Sequence, residues 1–272
     1  MDVRTHRRRL PKGRISLAKV ASQARPFIDV KTATAALKLD SKRTAKQLAR
    51  WHEQGLLRRI RRGVYAVVPP SAALQEHVVI DPWLVVPLLF RKAYVAGWSA
   101  AEHWDITEQL FKTLLICATD PIKQTKLHVA GVEIRARHIA PTLWFGTVAS
   151  WRDGTRVLVS DIHKTVVDMC LDPALGGGIQ HVAQCFSAYL RRDDADAQLL
   201  AQYAIRTRYA PAVKRLGFIC EALGGPDELR DACLRGVTLG LAKLDPVIAS
   251  PRVSRRWQLR LPNAWEKMLT ND

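Results

Sequence analysis

The stretch SKRTAKQLARWHEQGLLRRIRRGVYAVV, residues 41–68, decides how the N-terminal part of the chain is read. Its first half predicts a helix over Ser41–Gln54, with Ser41 as N-cap and Gly55 placed for a left-handed C-terminal cap. At 100° per residue, Lys42, Glu53, Lys46, Arg50, Arg43, Gln54 and Gln47 share an arc of about 140°. Trp51, Thr44, Leu48, His52, Ala45 and Ala49 fall on the opposite side, centred on Leu48. The second half predicts a β-hairpin. Its first strand ends near Ile60, and Arg61-Arg62-Gly63 turns with its glycine at positive φ. A β-branched and aromatic strand over Val64–Val68 follows and stops at Pro69-Pro70.

Upstream, Leu17, Ala18, Val20 and Ala21 suit a helix that begins at Ile15 and ends before Pro26. A second helix is expected over about Val30–Leu37, with a turn at Leu39-Asp40. Three helices and then a hairpin is the order of a winged helix-turn-helix, with Ser41–Gln54 as recognition helix. The hairpin concentrates Arg58, Arg59, Arg61 and Arg62 within five residues, which a merely structural hairpin has no reason to do.

The charge balance points the same way. The 272 residues carry a formal net charge of +17, where a small soluble domain usually stays within roughly 2–8. Residues 1–68 hold 18 Lys and Arg against four acids, a net of +14, and the other 204 residues carry only +3. A basic module joined to a nearly neutral remainder implies a polyanionic partner, and nucleic acid fits best. Duplex DNA suits the helix, because the major groove admits one and presents a distinguishable base-edge code. The deep, narrow A-form RNA groove does not. The candidate DNA contacts are Lys42, Arg43, Thr44, Lys46, Gln47 and Arg50 on the helix and Arg58, Arg59, Arg61 and Arg62 on the wing. Arg7, Arg8 and Arg9 join them from a basic arm over residues 1–14.

Other classes find little support. The five cysteines are odd in number and form no C-x-x-C pair, so neither a disulfide framework nor a cysteine zinc site is expected. Buried free thiols are expected instead. No apolar segment follows the basic start as in a signal peptide, and no run of about 18 apolar residues exists to span a bilayer. A cytoplasmic, nucleoid-associated protein with no membrane partner is expected.

The organisation is then a basic arm over 1–14, a winged helix-turn-helix domain over 15–70 and a larger domain over 71–272. In the larger domain, helices are expected at Asp81–Phe90 and at Ser99–Trp104, the latter capped by Ser99. Strands are expected at Ala93–Ala96, Phe111–Cys117, Lys126–Val129, Val132–Arg137, Leu143–Val148 and Arg156–Val159. Helices should then cover Asp161–Leu171, Ile179–Leu190, Ala195–Thr207, Ala212–Leu223 and Asp227–Leu234, followed by a proline-punctuated basic tail. Strands first and helices afterwards give an α+β fold with a mostly antiparallel sheet and C-terminal helices.

Reactive constellations in this domain are weak. Asp168 and Asp172 stand four apart on a helix with His163 nearby, a spacing that could serve acid/base or metal chemistry but more often marks solvated carboxylates. Gly176-Gly177-Gly178 lacks the Lys-Ser/Thr and the preceding strand of a phosphate loop, and reads as a connection between helices. The scattered tryptophans read as core. No catalytic residue, metal site or cofactor is assigned.

The chain resembles the AbiEi family of antitoxins from type IV toxin–antitoxin systems over roughly residues 15–225. The resemblance rests on Ser41-Lys42-Arg43-Thr44-Ala45 through Gly55-Leu56-Leu57, and on Arg62-Gly63-Val64-Tyr65-Ala66. It continues in Ala93-Tyr94-Val95-Ala96-Gly97-Trp98-Ser99-Ala100-Ala101, Ser160-Asp161-Ile162-His163-Lys164-Thr165-Val166-Val167-Asp168-Met169 and Arg215-Leu216-Gly217-Phe218. Asp105 departs from an expected glycine and His163 from a common glutamate. The resemblance implies a non-enzymatic repressor of its own operon, bound to promoter repeats. It also implies a cognate nucleotidyltransferase-like toxin, countered without a stable complex. The alternative is a nucleic-acid-processing enzyme that uses the basic module to grip its substrate.

Overall fold

A computed structural model describes residues 12–23, 27–68, 81–129 and 131–270. By its internal packing the chain divides into two units. One holds the described residues up to Val85 with His128–Gly131 and Trp151–Thr155; the other holds Val86–Leu127, Val132–Ser150 and the rest from Arg156. The architecture is α+β.

The first unit runs α1 (Lys12–Gln23), β1 (Phe27–Asp29), α2 (Val30–Leu37), α3 (Ser41–Glu53), β2 (Leu57–Arg61) and β3 (Val64–Val67). The three expected helices and the hairpin are all present. β1 is an addition to them: it pairs antiparallel with β3, Ile28 opposite Tyr65, to give the order β1-β3-β2. Three residues are too few to show alternation. Leu17, Val20, Ile28, Ala33, Ala36, Leu48, Trp51, Leu57 and Tyr65 form one buried cluster that binds the helices to this sheet.

The second unit contains β4 (Ala93–Val95), α5 (Gly97–His103), β5 (Thr113–Ala118), β6 (Lys126–Val129), β7 (Val132–His138), β8 (Thr147–Arg152) and β9 (Thr155–Ser160), counting the strand ends that fall in the first unit. The segment 81–90 holds a 3-10 turn, Pro82–Val85, and one turn of helix, α4 (Val86–Leu89), instead of a single helix. Likewise a 3-10 turn, Pro141–Leu143, takes the start of the expected strand 143–148, and the strand proper is β8. The sheet order is β6-β7-β5-β4-β9-β8, with β5–β7 and β4–β9 parallel and β4–β5 antiparallel. Across the three sheets antiparallel pairs outnumber parallel ones. Leu114–Ala118 of β5 are all buried, as suits a central strand covered on both faces.

The helical part comprises α6 (Ile162–Leu171), α7 (Ile179–Leu190), α8 (Ala197–Arg206), α9 (Ala210–Ala222) and α10 (Asp227–Arg235). Asp161 caps α6 as expected, its side chain accepting from Lys164 N at 2.7 Å. Ser99 does not cap α5. That helix begins at Gly97, and the buried Ser99 hydroxyl accepts from Leu115 N at 2.9 Å, joining helix to sheet. The tail is more ordered than its prolines suggest. β10 (Ala242–Lys243) runs parallel and β11 (Arg252–Ser254) antiparallel to β12 (Leu259–Leu261), and α11 (Trp265–Thr270) ends the described chain.

Two buried polar residues tie the tail to the helices. Asp245 accepts from Ile179 N at 3.0 Å and so caps α7 from far along the chain. Arg215 of α9 donates from Nε to the carbonyls of Lys243 and Leu244 and from Nη1 to those of Cys170 and Leu171, at 3.0–3.1 Å. It thereby satisfies end carbonyls that α6 cannot pair within itself. All five cysteines are free and buried.

Candidate nucleic-acid interface

The ends of α3 fix where its side chains point. The N-cap is Asp40, not Ser41: its carboxylate accepts from Arg43 N at 2.8 Å and pairs with Arg43 Nε at 3.2 Å. Asp and Ser are comparable N-caps, so composition alone does not choose between adjacent candidates. At the other end Gly55 takes φ +70°. Gly55 N donates to His52 O and Leu56 N to Trp51 O, both at 2.9 Å, which closes the helix and sends the chain into β2. His52 Nδ1 lies 3.0 Å from Leu57 O and adds a second tie at this corner.

Thr44, Leu48 and Trp51 are the buried line of α3, spaced i, i+4, i+7. Lys42, Arg43, Lys46 and Arg50 are exposed and Gln47 is half-buried, so these five candidates lie on the accessible face. Thr44 is corrected: it is 0% exposed and packs inward, away from any groove. Ala45 and His52, expected on the packed side, are exposed. In so small a module α3 is covered along one narrow stripe, and the accessible face is correspondingly wider than the wheel suggests.

The Thr44 hydroxyl finds no hydrogen-bond partner among the described residues. A buried hydroxyl without a partner costs about 1–3 kcal/mol. Thr44→Val keeps the β-branched shape and should raise the thermal midpoint, by about 1 kcal/mol of stability, with DNA affinity unchanged. A loss of affinity in this variant would show that the hydroxyl turns outward to a base.

The wing owes its charge display to an irregularity. Leu57 and Ile60 are both buried although strict alternation cannot turn residues three apart to one face. The pairing register shifts between Arg59 and Arg61, a bulge that brings Ile60 inward. Arg59, Arg61 and Arg62 are left exposed and Arg58 half-buried. The turn is Arg62-Gly63, with Gly63 at φ +78° and its carbonyl accepting from Val30 N at 3.2 Å. Gly63→Val should strain this turn and weaken DNA binding while the second unit unfolds as in wild type. A duplex titration with a denaturation curve checks both, and unchanged affinity would separate the wing from DNA. Arg7, Arg8 and Arg9 lie outside the described residues.

The C-terminal carboxylates do not form a common site. Asp168 is 4% exposed; it pairs with Lys164 of the same helix and accepts from the Tyr94 hydroxyl at 3.0 Å. Lys164 Nζ also donates to Tyr94 at 3.2 Å and lies 4.9 Å from the Phe145 ring. Burial, with the Asp168 charge, pushes the Tyr94 hydroxyl pKa well above its ordinary value and the neighbouring Cys117 thiol up to about 12. This closed cluster is a structural pair in the core. Asp172 instead pairs with Arg137 and accepts from Ala174 N at 3.1 Å, while His163 Nδ1 meets the Tyr189 hydroxyl at 2.8 Å. No group of three metal-ligating side chains occurs among the described residues. Trp151 departs from the core reading, being exposed.

A basic helix flanked by a basic hairpin on a three-helix module gives the first unit a surface suited to a polyanion. Residues 16–68 match the family model of the AbiEi antitoxin transcriptional regulators. The solved structure of the RV2827C protein from Mycobacterium tuberculosis is similar over nearly the whole fold. It has a TM-score of 0.68 and 15% identity, and the match covers 96% of this chain and 94% of that one. At that identity the likeness concerns the fold alone. No curated protein matches the chain. No helix among the described residues is long and apolar enough to cross a membrane.

Proposed function

We propose that this chain is a cytoplasmic, nucleoid-associated repressor and antitoxin that acts without catalysis of its own. Its winged helix-turn-helix places α3 in the major groove of promoter repeats upstream of its operon. The wing arginines and the basic arm hold the flanking phosphates. Occupancy of the promoter excludes transcription, and the second unit counters a nucleotidyltransferase-like toxin without a stable complex. The observation that carries the reading is the placement of Lys42, Arg43, Lys46 and Arg50 on the accessible face of α3 beside the arginine-rich hairpin.

Titration of the full chain against the duplex upstream of its own gene tests the repressor role. Binding should be at least about 10³-fold tighter than to a shuffled duplex of equal length. Equal affinity for the two duplexes would overturn the repressor role. Co-expression with a toxin gene from the same operon tests the antitoxin role, and growth should recover without co-purification of the two proteins.

A further inference from the structure

Residues 1–68 contain four acids, Asp2, Asp29, Asp40 and Glu53. Asp29 and Asp40 are N-caps, whose carboxylates accept from Thr32 N at 2.6 Å and from Arg43 N at 2.8 Å. Asp2 lies outside the described residues. Glu53 has no such structural use. It is exposed at the end of α3, and its carboxylate takes no hydrogen bond or ion pair among the described residues. Its place is unfavourable on two counts. A carboxylate in the last turn opposes the helix dipole. In a module of net charge +14 it also repels the phosphates that the cations attract.

The direction of Glu53 gives the reason. Lys42, Lys46, Ala49 and Glu53 repeat at i, i+4, i+7 and i+11. Each stands two residues from Thr44, Leu48 or Trp51, about 200° round the helix. They form the line opposite the buried one, and so the line that goes deepest into a groove. Arg43 and Arg50 flank it on one side, Ala45 and His52 on the other, while Gln47 is half-buried at the margin. From Lys46 to Glu53 the line covers about 10 Å, the length of about three base-pair steps.

Base edges sort these side chains. A carboxylate can only accept hydrogen bonds. Guanine offers two acceptors in the major groove, and thymine an acceptor beside its methyl group. The amine of adenine stands next to the acceptor N7, which repels a carboxylate. Cytosine offers its N4 amine alone. The Lys46 ammonium suits guanine, and the Ala49 methyl suits the methyl of thymine. We propose that α3 reads its operator along this line, with Lys46 on guanine, Ala49 on a thymine methyl and Glu53 on the N4 amine of cytosine. Arg43 and Arg50 hold the phosphates beside it. The assignment rests on the repressor reading above and adds the base that each position selects. Glu53 weakens binding to every duplex that lacks cytosine at its place, so it supplies discrimination and not strength.

The test is selection of bound duplexes from a random pool, by the full wild-type chain and by Glu53→Gln, followed by titration of the selected duplexes. The wild-type consensus should hold guanine, thymine and cytosine within about four base pairs. In Glu53→Gln the cytosine should give way to adenine, because an amide pairs with adenine N6 and N7. The wild-type preference for cytosine over adenine at that position should fall by about tenfold or more. Affinity of the variant for a shuffled duplex should rise, since one charge that repels phosphate is gone. Deoxyuridine in place of the thymine removes only a methyl group and should weaken wild-type binding about threefold. Cytosine retained unchanged in the Glu53→Gln consensus would overturn the assignment and leave the repressor role standing. Equal binding of the deoxyuridine duplex would remove Ala49 from the reading line. A wild-type pool without any consensus would overturn the repressor role and this assignment together.

Discussion

Arg215→Ala should destabilise the second unit by about 3 kcal/mol or more, because buried carbonyls lose a charged donor at roughly 1–3 kcal/mol for each acceptor left without a partner. The side chain is 3% exposed and donates to four carbonyls on two separate segments. Burial pulls its pKa below the ordinary arginine value, yet the group remains charged at neutral pH. Alanine removes the donors and the volume together, so the end of α6 and the strand carbonyls lose their partners in a dry interior. Arg215→Met separates the two effects: it restores much of the volume and none of the hydrogen bonds. Denaturant unfolding of the full chain should show a large loss in both variants. Wild-type stability in the methionine variant would mean that packing, not hydrogen bonding, accounts for the residue.

The second large effect concerns DNA. Arg43, Lys46 and Arg50 are exposed on α3 and touch nothing in the core. Replacing all three by alanine should leave folding nearly unchanged, because exposed helix positions usually matter by less than about 0.5 kcal/mol. Operator affinity should fall by about 100-fold or more, at roughly 1–3 kcal/mol for each base-reading side chain. For every phosphate that is no longer neutralised, the slope of log K against log salt becomes shallower by about 0.9. Wild-type binding is expected at a slope of roughly −5 to −7, so the triple variant should come out near −2 to −4 if all three touch phosphates. Titrations at several salt concentrations, against operator and shuffled duplex, separate base readers from phosphate holders. Unaltered affinity and slope would remove α3 from the interface.

Much of this architecture is legible in the sequence alone, and the exceptions share physical causes. α2 is observed over Val30–Leu37, α7 over Ile179–Leu190 and β6 over Lys126–Val129, each with the expected bounds. Those segments carry full periods of the hydrophobic pattern or clear stop signals. β1 and the sheet of β10, β11 and β12 are hidden because two or three residues cannot display a period, and because their pairing is set by partners distant in sequence. The place of Thr44 is obscured by its side chain, which suits both a groove and a core. The wing bulge does leave a trace, since Leu57 and Ile60 are too far apart for a turn and out of phase for a flat strand. The pairing of Lys164 with Asp168 has the i, i+4 spacing of an ordinary surface pair, and nothing in the spacing itself reveals that both are buried.

The cap that Asp245 places on α7 also has a consequence for synthesis. Its hydrogen bond to Ile179 spans 66 residues, and β12, which seats the same tail, ends only at Leu261. The second unit therefore cannot be completed until the chain up to Leu261 has left the ribosome. The three helices and the hairpin of the first unit are finished at β3, whose strand partners β1 and β2 both precede it in the chain. At about 5–20 residues per second, the gap between the two events is roughly 10–40 s. During that interval a nascent chain exposes a completed basic module and an unfinished partner. On the proposed reading DNA occupancy would begin before the remainder is built, while chains still open at the tail hold α7 without its distant cap.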